Sequence, residues 1–86
     1  MKYRIQIEGR VYKYLKRLPS NFCRNILLKI KSLENFDKNT SNIKKLKYPM
    51  FGYRLRIGDY RVLFVTDPDN KIIFVYTLDH RKDVYR

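Results

Sequence analysis

Several residue types that mark common protein sites are scarce in this chain of 86 residues. The single cysteine, Cys23, excludes a disulfide within the chain. With only one histidine, His80, no group of ligands has the spacing of a zinc site, and we expect no metal. The three glycines match neither a P-loop nor a dinucleotide-binding turn, so we expect no nucleotide cofactor.

Long apolar runs are also absent. Residues 1–7 alternate polar and apolar side chains, and no segment resembles a signal peptide or a membrane-spanning helix. We therefore expect a protein of the reducing cytoplasm with no membrane partner.

Acidic residues are few, with 8 Asp and Glu against 20 Lys and Arg, for a formal net charge of +12. This excess predicts a polyanionic partner: nucleic acid, an anionic membrane surface or an acidic protein. The alternative is a basic domain that is merely soluble. The hydrophobic fraction of 44% is enough for a core, and the length predicts a single domain over residues 1–86.

Hydrophobic periodicity predicts a strand followed by two helices in the first half of the chain. Apolar side chains alternate at Tyr3, Ile5 and Ile7, which is typical of a half-buried strand. Steps of three and four predict helices over residues 10–18 and 21–36, the second with Cys23 on its core side. Pro19 ends the first helix and Ser20 can cap the second, so that the two form a helical hairpin.

Three strands are predicted to follow a loop at residues 37–42 and a basic run at residues 44–47. They are rich in β-branched and aromatic residues and span Tyr53–Ile57, Tyr60–Thr66 and Ile72–Leu78. The predicted fold class is α+β, in the order β-α-α-β-β-β, with a mostly antiparallel sheet and the helical hairpin on one face.

A two-residue turn at Gly58-Asp59, of type II′, sets the register of the first hairpin. It places Arg56 opposite Arg61, and these two arginines point with Arg54 to the face without helices. The helices are then met by Tyr53, Leu55, Ile57, Tyr60, Val62 and Phe64. Arginines directly opposite each other repel, a cost easier to understand if an anion sits between them. The alternative is an ordinary solvated sheet face.

The register of the last strand depends on the length of the preceding loop, because one residue more or less reverses its faces. We favour a five-residue loop, Asp67–Lys71. It directs Phe74, Tyr76 and Leu78 to the core and directs Ile73, Val75 and Thr77 outward, so that Arg81 joins the arginine face.

The C-terminal string His80–Arg86 crowds a histidine, several cations and a phenol together. Phosphodiester cleavage could use all of them, since cations stabilise phosphoryl charge and make a phenolate more accessible. The alternative is a charged tail whose Val84 and Tyr85 pack against the domain.

Three segments together resemble the RelE/ParE superfamily of type II toxins. They are Tyr53-Arg54-Leu55-Arg56, Gly58-Asp59-Tyr60-Arg61-Val62 and His80-Arg81-Lys82-Asp83-Val84-Tyr85. The predicted element order is also that of the family, and the resemblance covers nearly the whole chain. The first two segments bear mainly on the fold, whereas Arg81 followed by Tyr85 is closer to the RelE-like ribonucleases.

The resemblance implies a toxin that enters the ribosomal A site and cuts messenger RNA, with the 2′-hydroxyl attacking the adjacent phosphate. It implies that Arg61 binds phosphate, that Arg81 assists the leaving group and that Tyr85 is the base. His80 could carry the proton instead if its ring faces the site. The basic residues expected to bind RNA phosphates are Arg54, Arg56, Lys44, Lys45, Lys47 and Lys82.

The implied partners are a cognate antitoxin, with a possible heterotetramer, and messenger RNA on the ribosome. A ParE-like toxin that inhibits DNA gyrase without cutting RNA is the alternative. A third hypothesis is a noncatalytic nucleic-acid-binding domain.

Overall fold

Two α-helices and five strands form within residues 2–48 and 50–80, the part of the chain that the computed structural model describes. In chain order they are β1 (Arg4–Ile7), α1 (Gly9–Lys16), α2 (Ser20–Lys31), a 3₁₀ turn (Ser32–Asn35), β2 (Ile43–Lys45), β3 (Tyr53–Ile57), β4 (Tyr60–Asp67) and β5 (Ile72–His80). The predicted α+β class is confirmed. The strand β2 is an addition, because its residues were predicted as part of a basic run without secondary structure.

The five strands form one sheet in the order β1-β5-β4-β3-β2. Only β1 runs parallel to its neighbour, β5, and the other pairs are antiparallel. The strands that carry the hairpin arginines therefore lie towards the β2 side of the sheet.

The helices cover one face of this sheet, as predicted, but with different ends. Pro19 is the residue before α2, and its φ of −54° suits a helix start, so Ser20 is the first helical residue and not the cap. The second helix stops at Lys31 and continues only as the 3₁₀ turn, shorter than the predicted 21–36. Its buried stripe at Ile26 and Ile30 packs on the sheet, and Cys23 is half-buried against the same core.

The core lies between the helices and the inner sheet face. It includes two residues predicted to face the helices, Val62 and Phe64, both fully buried. Leu55 and Ile57 are also buried, while Tyr53 and Tyr60 pack at the margin of the core. The hydrophobic face of the β3–β4 hairpin is thus as predicted.

The predicted register of β5 was wrong at its start. Asp67 pairs with Ile72, so the loop has four residues, closed by a left-handed Lys71 with φ of 55°. Asn70 donates hydrogen bonds to the Asp67 carboxylate, which lower the pKa of Asp67 and hold the turn. The start of the strand consequently presents the opposite faces to those predicted.

A bulge in β5 then restores the predicted faces. Before the bulge, Ile73 and Val75 are fully buried and Phe74 is exposed, contrary to the prediction. The pairing steps from Phe64–Val75 to Leu63–Thr77 and skips Tyr76. The extra residue resets the alternation, so Leu78 is in the core as predicted.

Candidate nucleic-acid interface

The β3–β4 hairpin presents its arginines on the face that the helices leave open. Arg56 pairs with Arg61 and Ile57 with Tyr60, so Gly58 and Asp59 form the whole turn, as predicted. Gly58 has a φ of 58°, which the first position of a type II′ turn requires. Because strand side chains alternate between faces and Leu55 is in the core, Arg54 lies on the open side. We call Arg54, Arg56 and Arg61 the arginine face.

The two opposed arginines differ strongly in burial. Arg61 is only 8% exposed, whereas Arg56 is exposed to solvent. On the other side of Arg61, its partner in β5 is Asp79. A guanidinium in a poorly hydrated position attracts an anion more strongly than one in water. This arrangement gives the open face one buried cation, Arg61, beside one accessible cation, Arg56.

Arg54 adds a second sheltered donor to this surface. It is half-buried, and its Nε is buried without a hydrogen-bond partner among the described residues. A buried N–H without an acceptor is costly, so Arg54 is better satisfied when an anion reaches its guanidinium.

The lysines of the basic run separate in the structure. Lys44 pairs with Arg54 and therefore extends the arginine face onto β2. Lys45 pairs with Tyr53 and lies on the helix side, and Lys47 is exposed beyond the end of the strand. Of the three predicted phosphate ligands, only Lys44 is aligned with the arginines.

His80 lies on the other side of the sheet from Arg61. It pairs with Tyr60, and the two rings meet edge to face, with centroids 5.1 Å apart. We expected His80 to carry the proton only if its ring faced the site. The ring contacts Tyr60 on the helix side instead, so its position does not favour that role. Arg81, Lys82 and Tyr85 lie outside the described residues, so their assigned roles stay predictions.

A feature that sequence reasoning missed is the loop between β2 and β3, residues 46–52, which we call the aromatic loop. Tyr48 is 88% exposed and Phe51 is 70% exposed. The hydroxyl of Tyr76 donates a hydrogen bond of 3.0 Å to the Phe51 carbonyl oxygen. Burial, and to a lesser degree Asp79, raises the pKa of Tyr76, so this donor keeps its proton at neutral pH. The sequence does contain one indication of a loop here, because Pro49 and Gly52 interrupt an aromatic segment.

In residues 2–48 and 50–80, no three His, Cys, Asp or Glu side chains come together as metal ligands would. Nor does any helix there have the length and apolar character needed to cross a membrane.

Comparisons of sequence and of structure relate this chain to the same group of proteins. No family model matches the chain. A protein from Methanocaldococcus jannaschii named as a candidate toxin, RelE1, is 34% identical over 88 residues, covering 100% of this chain and 98% of that protein. The RelE–RelB complex from Pyrococcus horikoshii OT3 contains a chain with 32% identity and a TM-score of 0.78, with coverage of 94% and 97%.

A RelB–RelE antitoxin–toxin complex from Methanococcus jannaschii contains another similar chain, with 28% identity and a TM-score of 0.72. The alignment covers 93% of this chain and 94% of that one. All three relatives carry the RelE name, so the ParE-like alternative is not favoured. Full-length similarity and a shared fold thus agree, and the chain belongs to the RelE family of toxins.

Proposed function

We propose that this protein is the toxin of a type II toxin–antitoxin pair and that it cuts translated messenger RNA in the ribosomal A site. It acts in the cytoplasm, where the translating ribosomes are. The observation that carries the proposal is the arginine face, on which Arg56 and Arg61 oppose each other beside Arg54. Full-length similarity to a RelE1 protein supports the same function.

The arginine face suits a phosphodiester in its transition state. A pentacoordinate phosphorus carries more negative charge on its oxygens than the ground state does, and guanidinium groups can donate paired hydrogen bonds to those oxygens. Arg61 is sheltered and so reorganises little when the charge develops. Its guanidinium stays protonated at neutral pH, so its role is charge stabilisation and not proton transfer.

The proposed cleavage step uses the RNA's own nucleophile. A base removes the proton of the 2′-hydroxyl, and the 2′-oxygen attacks the adjacent phosphorus. The bond from phosphorus to the 5′-oxygen of the next nucleotide breaks, and that oxygen takes up a proton. The products are a 2′,3′-cyclic phosphate and a 5′-hydroxyl. Arg81 is proposed to stabilise the negative charge that develops on the leaving oxygen.

Tyr85 is the proposed base, on the strength of the family resemblance. Neighbouring cations favour its phenolate. His80, the alternative, has its ring against Tyr60 on the helix side of the sheet. This geometry supports Tyr85 over His80 as the group that moves the proton.

The proposed regulator is a cognate antitoxin. Two of the similar structures are complexes of RelE with RelB, one of them described as an antitoxin–toxin complex. With a net charge of +12, this chain favours an antitoxin whose contacting segment is acidic. Such a segment would neutralise the arginine face, and the pair could assemble further into a heterotetramer.

The deciding experiment is primer extension on messenger RNA incubated with the purified protein, with and without translating ribosomes. We expect new 5′ ends within codons when ribosomes are present. Arg61→Ala tests the arginine face, and Arg24→Ala is the matched control because it removes an exposed arginine from α2.

Two outcomes would contradict the proposal. Intact RNA in both incubations, with the protein folded, would remove the nuclease function and leave a noncatalytic or gyrase-directed role. Cleavage by Arg61→Ala at the wild-type rate would show that cleavage does not depend on the arginine face.

A further inference from the structure

The aromatic loop stands beside the arginine face and has no assigned role. Its exposed rings, Tyr48 and Phe51, leave large apolar surfaces in water. Exposed rings in a loop often have only weak contacts, but here the backbone is held at several points. A fixed loop that keeps aromatic rings in solvent is a candidate binding element.

Two hydrogen bonds, one to the sheet and one within the loop, and one close backbone approach hold the aromatic loop in place. The Tyr76 hydroxyl reaches the Phe51 carbonyl, and the Leu46 N–H donates to the Gly52 carbonyl at 2.9 Å. Gly52 has a φ of 92°, and a Cβ at this position would clash with the carbonyl oxygen of Phe64. The chain therefore passes close to β4 at a place where only glycine fits. The Phe51 ring projects from a preorganised backbone.

The segment of sequence that contains the aromatic loop carries charges of one sign only. Residues 38–58 contain six Lys or Arg and no Asp or Glu. Lys44, in β2, and Lys47, in the loop, are both exposed. Exposed rings interspersed with cations are the arrangement that binds single-stranded RNA, because rings stack on bases and cations contact phosphates.

The loop is also continuous with the arginine face. Phe51 precedes Arg54 by three residues, about 10 Å along an extended chain. An RNA strand with its reacting phosphate at the arginines would thus bring a neighbouring nucleotide to the loop. The exposed apolar side chains of the loop, Tyr48, Met50 and Phe51, follow the exposed Lys47. This combination suits single-stranded RNA, which offers bases to the rings and phosphates to the cation.

We propose that the Phe51 ring stacks on an unpaired base next to the phosphodiester that is cut, and that Tyr76 is a positioning residue for this contact. The inference rests on the proposed ribonuclease function and adds a base contact to it. Stacking on a ring is tolerant of base identity, so the contact contributes affinity and alignment with little sequence selectivity.

The test is single-turnover cleavage on programmed ribosomes, with the rate followed as a function of protein concentration. The readout is the ratio of the maximal rate to the half-saturating concentration. Two sets of messages are used: the natural one, and versions in which one nucleotide near the cut is abasic. We expect Phe51→Ala to lower the ratio about 5- to 150-fold on the natural message, the range for one stacked base.

A double-mutant cycle distinguishes stacking from other effects. At one position the abasic message should lose the same factor with the wild-type protein, and Phe51→Ala should cause no further loss on it. Phe51→Tyr, which keeps the ring, should restore the ratio. Tyr12→Ala is the control, since it removes an exposed ring from α1 on the helix side.

Tyr76→Phe tests the positioning role by removing only the hydroxyl that holds the Phe51 carbonyl. We expect a smaller loss than that of Phe51→Ala, and no additional loss when it is combined with Phe51→Ala. A purely structural role would instead lower the ratio equally in both backgrounds, which would overturn the positioning assignment.

Several results would overturn the stacking inference. Equal losses for Phe51→Ala on natural and all abasic messages would show that the loop acts without a base. Unchanged cleavage together with weakened antitoxin binding would make the loop a protein contact. In both cases the wild-type protein still cuts RNA, so the proposed function survives; no cleavage by the wild type would remove both.

Discussion

At the scale of single residues, burial separates arginines that look equivalent in the sequence. Arg61 is 8% exposed, and the facing Arg56 is open to solvent. A buried guanidinium has less room to move than an exposed one, and transition-state stabilisation requires donors that are already in place. Arg56 is better suited to attracting and holding the RNA backbone. We therefore expect the two to differ in which kinetic constant they affect.

Arg61→Ala should lower the maximal single-turnover cleavage rate about 100- to 1,000-fold, the usual loss for one electrostatic contact to the transition state. Growth inhibition on induction should disappear with it. Because the buried side chain also contributes packing, circular dichroism and thermal melting must show that the variant is folded. Arg24→Ala, on α2, should keep the wild-type rate. Full toxicity of folded Arg61→Ala would disprove the role.

Tyr85→Phe should lower the single-turnover rate by about two to four orders of magnitude, the range for losing acid–base help, with RNA binding unchanged. His80→Gln should have little effect, because the histidine ring lies against Tyr60 on the helix side. The pH–rate profile of His80→Gln should then match that of the wild-type protein. The reverse order of damage would identify His80 as the proton carrier.

At the scale of elements, the β3–β4 hairpin was predictable because a two-residue turn leaves only one register. Gly58-Asp59 fixed the partners of Arg56 and Arg61, and with them the arginine face. The start of β5 was not predictable, because four- and five-residue loops fit the sequence equally well. The bulge at Tyr76 has no signature in an alternating pattern, yet it determines which side chains reach the open face.

Short or irregular elements account for the remaining differences. Three residues, Ile43–Lys45, are too few to show strand periodicity, so β2 was interpreted only as a basic run. The exposure of Phe51 in the aromatic loop could not be predicted, since aromatic residues between strands usually indicate packing. The hydrogen bond from Tyr76 joins residues 25 apart and depends on the bulge.

Gly52→Ala should destabilise the fold by more than about 2 kcal/mol, since it combines a left-handed backbone with a clash against the Phe64 carbonyl oxygen. Gly9→Ala is the matched control, because a Cβ there meets nothing within 4 Å at the start of α1. Urea denaturation of both variants gives the free energies of unfolding. A Gly52→Ala value within about 0.5 kcal/mol of the wild type would show that the aromatic loop is not held as described.

At the scale of the whole molecule, the helices of the described residues, 2–48 and 50–80, cover only one face of the sheet. The helices bury the inner face, where Val62, Phe64 and Val75 are fully buried. The outer face is divided, with arginines near the Gly58 turn and aromatic side chains towards the aromatic loop. The net charge of +12 therefore includes a cluster at the surface that the proposed function uses. In the proposed function, long-range attraction would bring RNA to the molecule and the arginine face would determine where it binds.

This division predicts how binding to ribosomes carrying message depends on salt. If the three arginines of the face each contact a phosphate, the slope of log affinity against log salt should be about −2 or steeper, at about 0.7 per contact with single-stranded RNA. Arg56→Ala should make the slope shallower by about 0.7. Arg24→Ala removes another exposed arginine, from the helix layer, and should leave the slope unchanged. Fluorescence anisotropy over a salt series measures each slope.

Two outcomes would contradict this prediction. A flat series for the wild type would mean that an apolar interface, and not the arginine face, dominates binding. Equal slopes for all three proteins would place the phosphate contacts elsewhere.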